Sequence, residues 1–190
     1  LTGSVMQSNG KLRVIVKLVD AKTEANLWTK TFDKNEGDFF TIQREIAQSV
    51  AEGLSINLDS EYNVLIAKRQ TKNLEAYNLY LEARLLWNTR IKNNMYQAIE
   101  KYELALVKDP QFALGHVGIA ECYNMIAGYG FSPPSIAYPK AKRALEQALN
   151  INENISEAHS SLGWYYYAYE YDYDKAETSL LKALSLNPSS

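Results

Sequence analysis

Two histidines, one cysteine, five prolines and nine glycines are spread over 190 residues, and each scarcity removes a class of protein. Cys122 alone cannot close an internal disulfide, so burial rather than cross-linking must hold the fold, and one thiol does not reveal a redox compartment. Apolar runs break well short of the roughly 18 residues that a membrane span needs. No charged start followed by an apolar core marks a secretory signal. Charge of one sign is missing too: 20 basic against 22 acidic side chains leave a net charge of -2, with no excess of positive charge to grip a phosphate backbone. Neither nucleic acid nor a membrane span is expected, and the compartment, cytoplasm or periplasm, stays open.

The parts from which active sites are built are equally thin. His116 and His159 each stand four residues before a small residue of a helical segment. Equivalent positions of this kind point to packing with a locally hydrogen-bonded imidazole, since no Cys or carboxylate lies at ligand spacing on the same face. Cys122 has no sequence-local base. The pair Gly128 and Gly130 follows a helical stretch rather than a strand and has no Lys-Ser or Lys-Thr after it, so it is not a phosphate loop. Carboxylates are numerous but scattered at surface spacings. The expectation is a chain without enzyme activity, metal or cofactor.

What is present divides in two. The first 32 residues are rich in Val, Leu and Thr, whereas Ala, Leu, Tyr, Glu and Lys dominate from Asn73 onward. Leu12, Val14, Val16 and Leu18 alternate along Lys11 to Asp20, the two-residue period of a strand with one buried face. Asn9 and Gly10 tolerate the positive φ angles of a tight hairpin, which pairs Thr2 to Ser8 antiparallel with that strand. A turn over Asp20 to Ala25 leads to a third strand, Asn26 to Phe32. Asp38 can then cap a helix whose Phe39, Ile42, Ile46, Val50 and Leu54 recur at spacings of three and four. One helix over such a sheet makes a small core, and with Leu1 in place of a start methionine the natural protein is expected to continue upstream.

The segments Leu1–Val5, Leu12–Val14, Lys17–Asp20, Leu27–Trp28, Phe32–Asp33 and Phe40–Ile46 resemble the second half of the TolB-like N-terminal domain. The resemblance covers residues 1–58, and that family usually has Gly where Glu24 stands. It implies a partial α/β domain joined to tetratricopeptide repeats. It also implies a larger protein whose output domain is a class III nucleotide cyclase, a winged-helix regulator or a kinase.

Farther along, three segments share one spacing: Ala98, Tyr102, Ala105, Pro110; Ala141, Leu145, Ala148, Glu153; and Ala176, Leu180, Ala183, Pro188. Offsets of four and seven put the first three of each set on one helix face, where Ala lets a neighbouring helix approach closely. Each follows a first helix with its own landmarks: Ala83 and Leu86; Ile119, Ala120 and Tyr123; Leu162, Gly163 and Tyr166. This pattern resembles the tetratricopeptide repeat. The middle unit is stretched by a Pro- and Gly-rich segment, Gly128 to Pro139, expected to continue neither helix.

The expected fold is therefore mostly α with a small α/β part: a three-stranded antiparallel sheet plus helix over 1–58, a linker with a short helix over 59–72, and an α-α superhelix of about three hairpins over 73–110, 111–154 and 155–190. The resemblance implies a groove lined by first helices, at Tyr80, Arg84 and Trp87, then Val117, Glu121 and Asn124, then Ser160, Trp164 and Tyr167. The expected function is a protein-protein interaction module that binds a polypeptide of unknown identity. One alternative is the regulatory region of a cyclase or kinase whose catalytic domain lies outside the chain; another is a self-association module. Six tyrosines between Tyr165 and Tyr173, beside Trp164, cannot all be buried by one helix; the expectation is that they pack between repeats, or else line a binding groove.

Overall fold

The computed structural model describes residues 2–35, 39–54 and 71–188. The expected cap at Asp38, the side chain of Phe39, and all but the last two residues of the expected linker at 59–72 fall outside these. The chain divides into two compact units, Leu1–Arg69 and Gln70–Ser190. Mostly helical, it opens on one small antiparallel sheet.

In the first unit β1 (Thr2–Ser8), β2 (Lys11–Val19) and β3 (Asn26–Asn35) form a sheet in that order, followed by α1 (Phe39–Gly53). Asn9 and Gly10 adopt φ of 50° and 72°, the conformation a two-residue hairpin needs to match strand twist. Strand β3 runs past Phe32 to Asn35 because β2 offers partners as far as Lys11. The alternating face of β2 is buried at Val14, Val16 and Leu18, and Ile42 of α1 closes over Val14, Val16 and Phe32. Every residue of β1 is exposed. In the turn before β3, Glu24 takes a left-handed φ of 56°. Asp20 holds that turn: its carboxylate accepts from the amides of Lys22 and Thr23, and its carbonyl accepts from Glu24.

The second unit is a row of helices: α2 (Leu74–Asn88), α3 (Lys92–Lys108), α4 (Ala113–Gly128), α5 (Pro134–Ile151), α6 (Ser156–Tyr165) and α7 (Tyr173–Leu186). They pair as three successive hairpins, α2 with α3, α4 with α5 and α6 with α7, and the middle hairpin touches both neighbours. The shared spacing supplies the seams: Ala98, Tyr102 and Ala105 are fully buried, as are Ala141, Leu145 and Ala148. In the third hairpin Ala176 and Ala183 are buried but Leu180 is 42% exposed. Its side chain lies close against Gly163 of α6. Leu181 and Leu184 are exposed beside it.

Local chemistry sets the helix ends. Asn73 caps α2, its side-chain oxygen accepting from the Ala76 amide, while its Nδ2 donates to the carbonyl of Lys108 at the end of α3. One side chain thus satisfies orphan groups at two termini of the first hairpin. Asp172 caps α7 through the Lys175 amide.

The Pro- and Gly-rich segment behaves differently from expectation. Only residues 129–133 connect the middle helices, and α5 begins at Pro134 and carries Pro139 inside it. Pro134 stands at the first position, where no amide bond is needed. Pro139 comes early enough that the helix has already been started, by the Ala137 amide donating to Pro133, and forfeits a single hydrogen bond. The extra length of the middle unit therefore appears as an 18-residue helix rather than as a long loop.

Candidate functional site

The first helices of the three hairpins meet at an open pocket of about 370 Å3. Trp87 comes from α2, Glu121, Asn124 and Met125 from α4, and Glu157, Ser160, Ser161 and Trp164 from α6. Helical spacing explains the grouping. Glu121 and Met125 are four apart, and Glu157, Ser160, Ser161 and Trp164 sit at zero, three, four and seven, one face of a helix in each case.

Five of the nine residues proposed from sequence line this pocket: Trp87, Glu121, Asn124, Ser160 and Trp164. Arg84 stands behind it. Its guanidinium pairs with the Glu121 carboxylate at 2.5 Å and lies over the Trp87 ring, 4.3 Å from the centroid. Tyr80 is turned toward the interior of the first hairpin, with its ring 5.2 Å from Phe112 and 5.6 Å from Tyr102. Burial pushes its hydroxyl up to about 12. Val117 is buried at 3% exposure in the main core and presents no groove surface. Its position on α4 faces the seam with the neighbouring helices, where an apolar branched side chain is best placed. Tyr167 is exposed outside the pocket, 5.9 Å from the Trp164 ring.

Sequence reasoning missed Met125, Glu157 and Ser161. Extending the face that holds Ser160 and Trp164 back by one turn would have reached Glu157. The Arg84–Glu121 pair also had a signal, since each follows the small residue of its own first helix, Ala83 and Ala120, by one position.

Electrostatics at the pocket are uneven. Burial holds the Glu121 carboxyl above its ordinary value, and Arg84 offsets part of that effect. Glu157 accepts a hydrogen bond from the Ser156 hydroxyl and has no ion-pair partner among the described residues. Asn124 is 3% exposed; its Nδ2 donates to the carbonyl and hydroxyl of Ser161, and its Oδ1 has no donor. The Trp87 indole N–H is likewise buried without an acceptor. Native proteins rarely leave such groups unpaired.

Elsewhere the sequence candidates are quiet. Cys122 is fully buried and its thiol is pushed up to about 12, chiefly by burial and then by Glu121. His159 Nε2 donates to the Glu153 carbonyl oxygen at 2.8 Å. His116 is half-buried, and burial alone lowers its value. The tyrosine run is split by a π turn, Tyr166–Glu170, ended by Tyr171 in the left-handed region at φ 55°. Around that wider turn Tyr169 stacks on Tyr138 of α5 and Tyr165 meets the same ring edge-on. Tyr167, Tyr171 and Tyr173 remain exposed. Glu170 accepts from the Tyr165 hydroxyl at 2.8 Å and pairs with Lys142 of α5 at 3.0 Å. No helix is long and apolar enough to cross a membrane, and no cluster suited to a metal ion occurs, among the described residues.

Fold and pocket together define a stacked helical-hairpin unit with one recess shared by three first helices. No family model matches the chain. Over 123 residues it is 24% identical to a protein of Rhizobium meliloti (strain 1021) named Putative adenylate cyclase 3. The match takes in 63% of this chain and 20% of that protein, so the chain spans about a fifth of the relative's length.

Proposed function

We propose that this chain is a polypeptide-binding part of a larger signalling protein, with tetratricopeptide-type hairpins that hold an extended segment of a partner across the recess between α2, α4 and α6. The observation that carries this reading is the pocket itself, to which all three first helices contribute. Stacked hairpins bury a core between neighbours and leave a continuous surface that single hairpins lack. Trp87 and Trp164 wall the pocket, and tryptophans in recesses are favoured anchors for partners. In this reading the chain holds a partner and does no chemistry. Turnover by the purified chain, abolished on replacing His116, His159 or Cys122, would overturn that part.

Peptides selected from a random library on the whole chain test the binding reading. Ser160→Trp, which fills the recess, should weaken the selected peptides by tenfold or more, and Glu146→Trp on α5 should not. Selected peptides indifferent to Ser160→Trp, or a library that yields none, would refute it.

The similarity to a protein named as an adenylate cyclase supports a second element of the proposal: the parent carries a cyclase-type output domain, and this region, whose first unit is the partial TolB-like domain, regulates it. Deleting residues 71–188 from the full-length protein should change its cyclic AMP formation. A parent with no such activity refutes the assignment.

A further inference from the structure

The two tryptophans that wall the pocket differ in one respect. Trp87 already carries two of the chain's own guanidinium groups, Arg84 at 4.3 Å and Arg90 at 3.6 Å from the ring centroid, and neither arginine lines the pocket. Trp164 is 46% exposed and has no cation over its ring among the described residues. The carboxylates are just as unequal. Glu121 is neutralised by Arg84, whereas Glu157, on the same helix face as Trp164, has no cationic partner among the described residues. A part-exposed indole and an uncompensated carboxylate on one helix face, both lining the pocket, suit the same ligand, a planar cation rich in N–H groups.

We propose that this half of the pocket is a subsite for an arginine side chain of the bound polypeptide, an inference that rests on the peptide-binding reading above. The planar guanidinium stacks on the Trp164 indole while its edge donates to Glu157. An ammonium fits less well, being a compact, strongly hydrated charge with no plane to stack. The chain supplies its own precedent at Trp87, where Arg84 combines a ring face with a carboxylate, Glu121, from the next first helix. Trp164 and Glu157 offer the same pair of features to an arginine that comes from outside.

The test uses fluorescence polarisation of labelled five-residue peptides, acetylated and amidated, with arginine, citrulline or lysine at the centre of an alanine frame. Citrulline keeps the shape and removes the charge. The expected result is binding of the arginine peptide, weakened about tenfold by citrulline and less by lysine, the scale of a single desolvated cation-aromatic contact. Glu157→Gln should weaken the arginine peptide several-fold and leave the citrulline peptide unchanged; Glu146→Gln on α5 should alter neither. Equal binding of the arginine and citrulline peptides, both weakened by Trp164→Leu, overturns the arginine subsite while leaving the peptide-binding reading intact. Absence of binding by all three peptides also overturns the subsite, and the library selection then decides the broader reading separately.

Discussion

Replacing Gly118 by alanine sets two effects of opposite sign against each other inside one helix. A β-carbon at this position of α4 would lie 2.3 Å from Tyr102 Cζ and 2.5 and 2.7 Å from the two adjoining ring carbons. Ordinary contact begins near 3.4 Å, so the ring would have to retreat by about an ångström. It has nowhere to go. Tyr102 is fully buried, with Tyr80 at 5.6 Å across its face and Ala83, Met95 and Val117 in the same core. Overpacking of this kind costs about 1–3 kcal/mol, while exchanging Gly for Ala inside a helix returns at most ~1 kcal/mol. The clash wins, and the variant should be less stable by about 1–2 kcal/mol, which lowers the melting temperature by several degrees. Gly128→Ala near the end of the same helix makes the control: its β-carbon meets nothing within 4 Å, so only the backbone gain remains and the midpoint should hold or rise. Thermal melts followed by circular dichroism at 222 nm compare the two. A Gly118→Ala variant as stable as the parent would refute the packing of Tyr102 against α4, and with it the register of the first two hairpins.

Asn73→Ala removes a cap on α2 and the donor to the last carbonyl of α3 at once, and should cost about 1–2 kcal/mol, measured by urea unfolding; an unchanged midpoint would deny the double role. Glu24 sits at a left-handed φ of 56° where glycine has no steric penalty, so Glu24→Gly should leave stability unchanged or raise it by up to ~1 kcal/mol, whereas Glu24→Val should lower it. Ala105 is fully buried between Ala76 and Phe112, and Ala105→Trp should destabilise by about 1–3 kcal/mol or more in a thermal melt. Cys122 has its thiol raised from 9.0 to about 12. The folded state thus holds that proton more tightly than the unfolded one, and this contribution is complete below pH 9 and lost as pH rises toward 12. The thiol should accordingly resist iodoacetamide at pH 8 until urea unfolds the chain; fast labelling of the native protein would contradict its burial.

Much of the architecture was written in local pattern. Period-two alternation at Leu12 to Leu18, the Asn9-Gly10 turn and the thrice-repeated offsets of four and seven depend only on strand and helix geometry, so the sequence determined where the sheet, the hairpins and their alanine seams would fall. It also determined how few groups were available for catalysis or metal binding. Whatever depends on the angle and separation between elements had to wait for the tertiary structure. Leu180 repeats the position of Tyr102 and Leu145 yet stays 42% exposed, because spacing along one helix fixes which face a residue is on but not how much of that face its neighbours cover. Pro139 reads as a helix breaker alone, yet α5 begins at Pro134 and runs through it. Val117 and Tyr80 share a repeat position with Ser160, and packing against the second helices took the first two inward and left the third on the pocket. Glu157 became the uncompensated charge of that pocket only because Arg84 reached across to Glu121, a choice of partner made by the spacing between helices, which no single helix encodes.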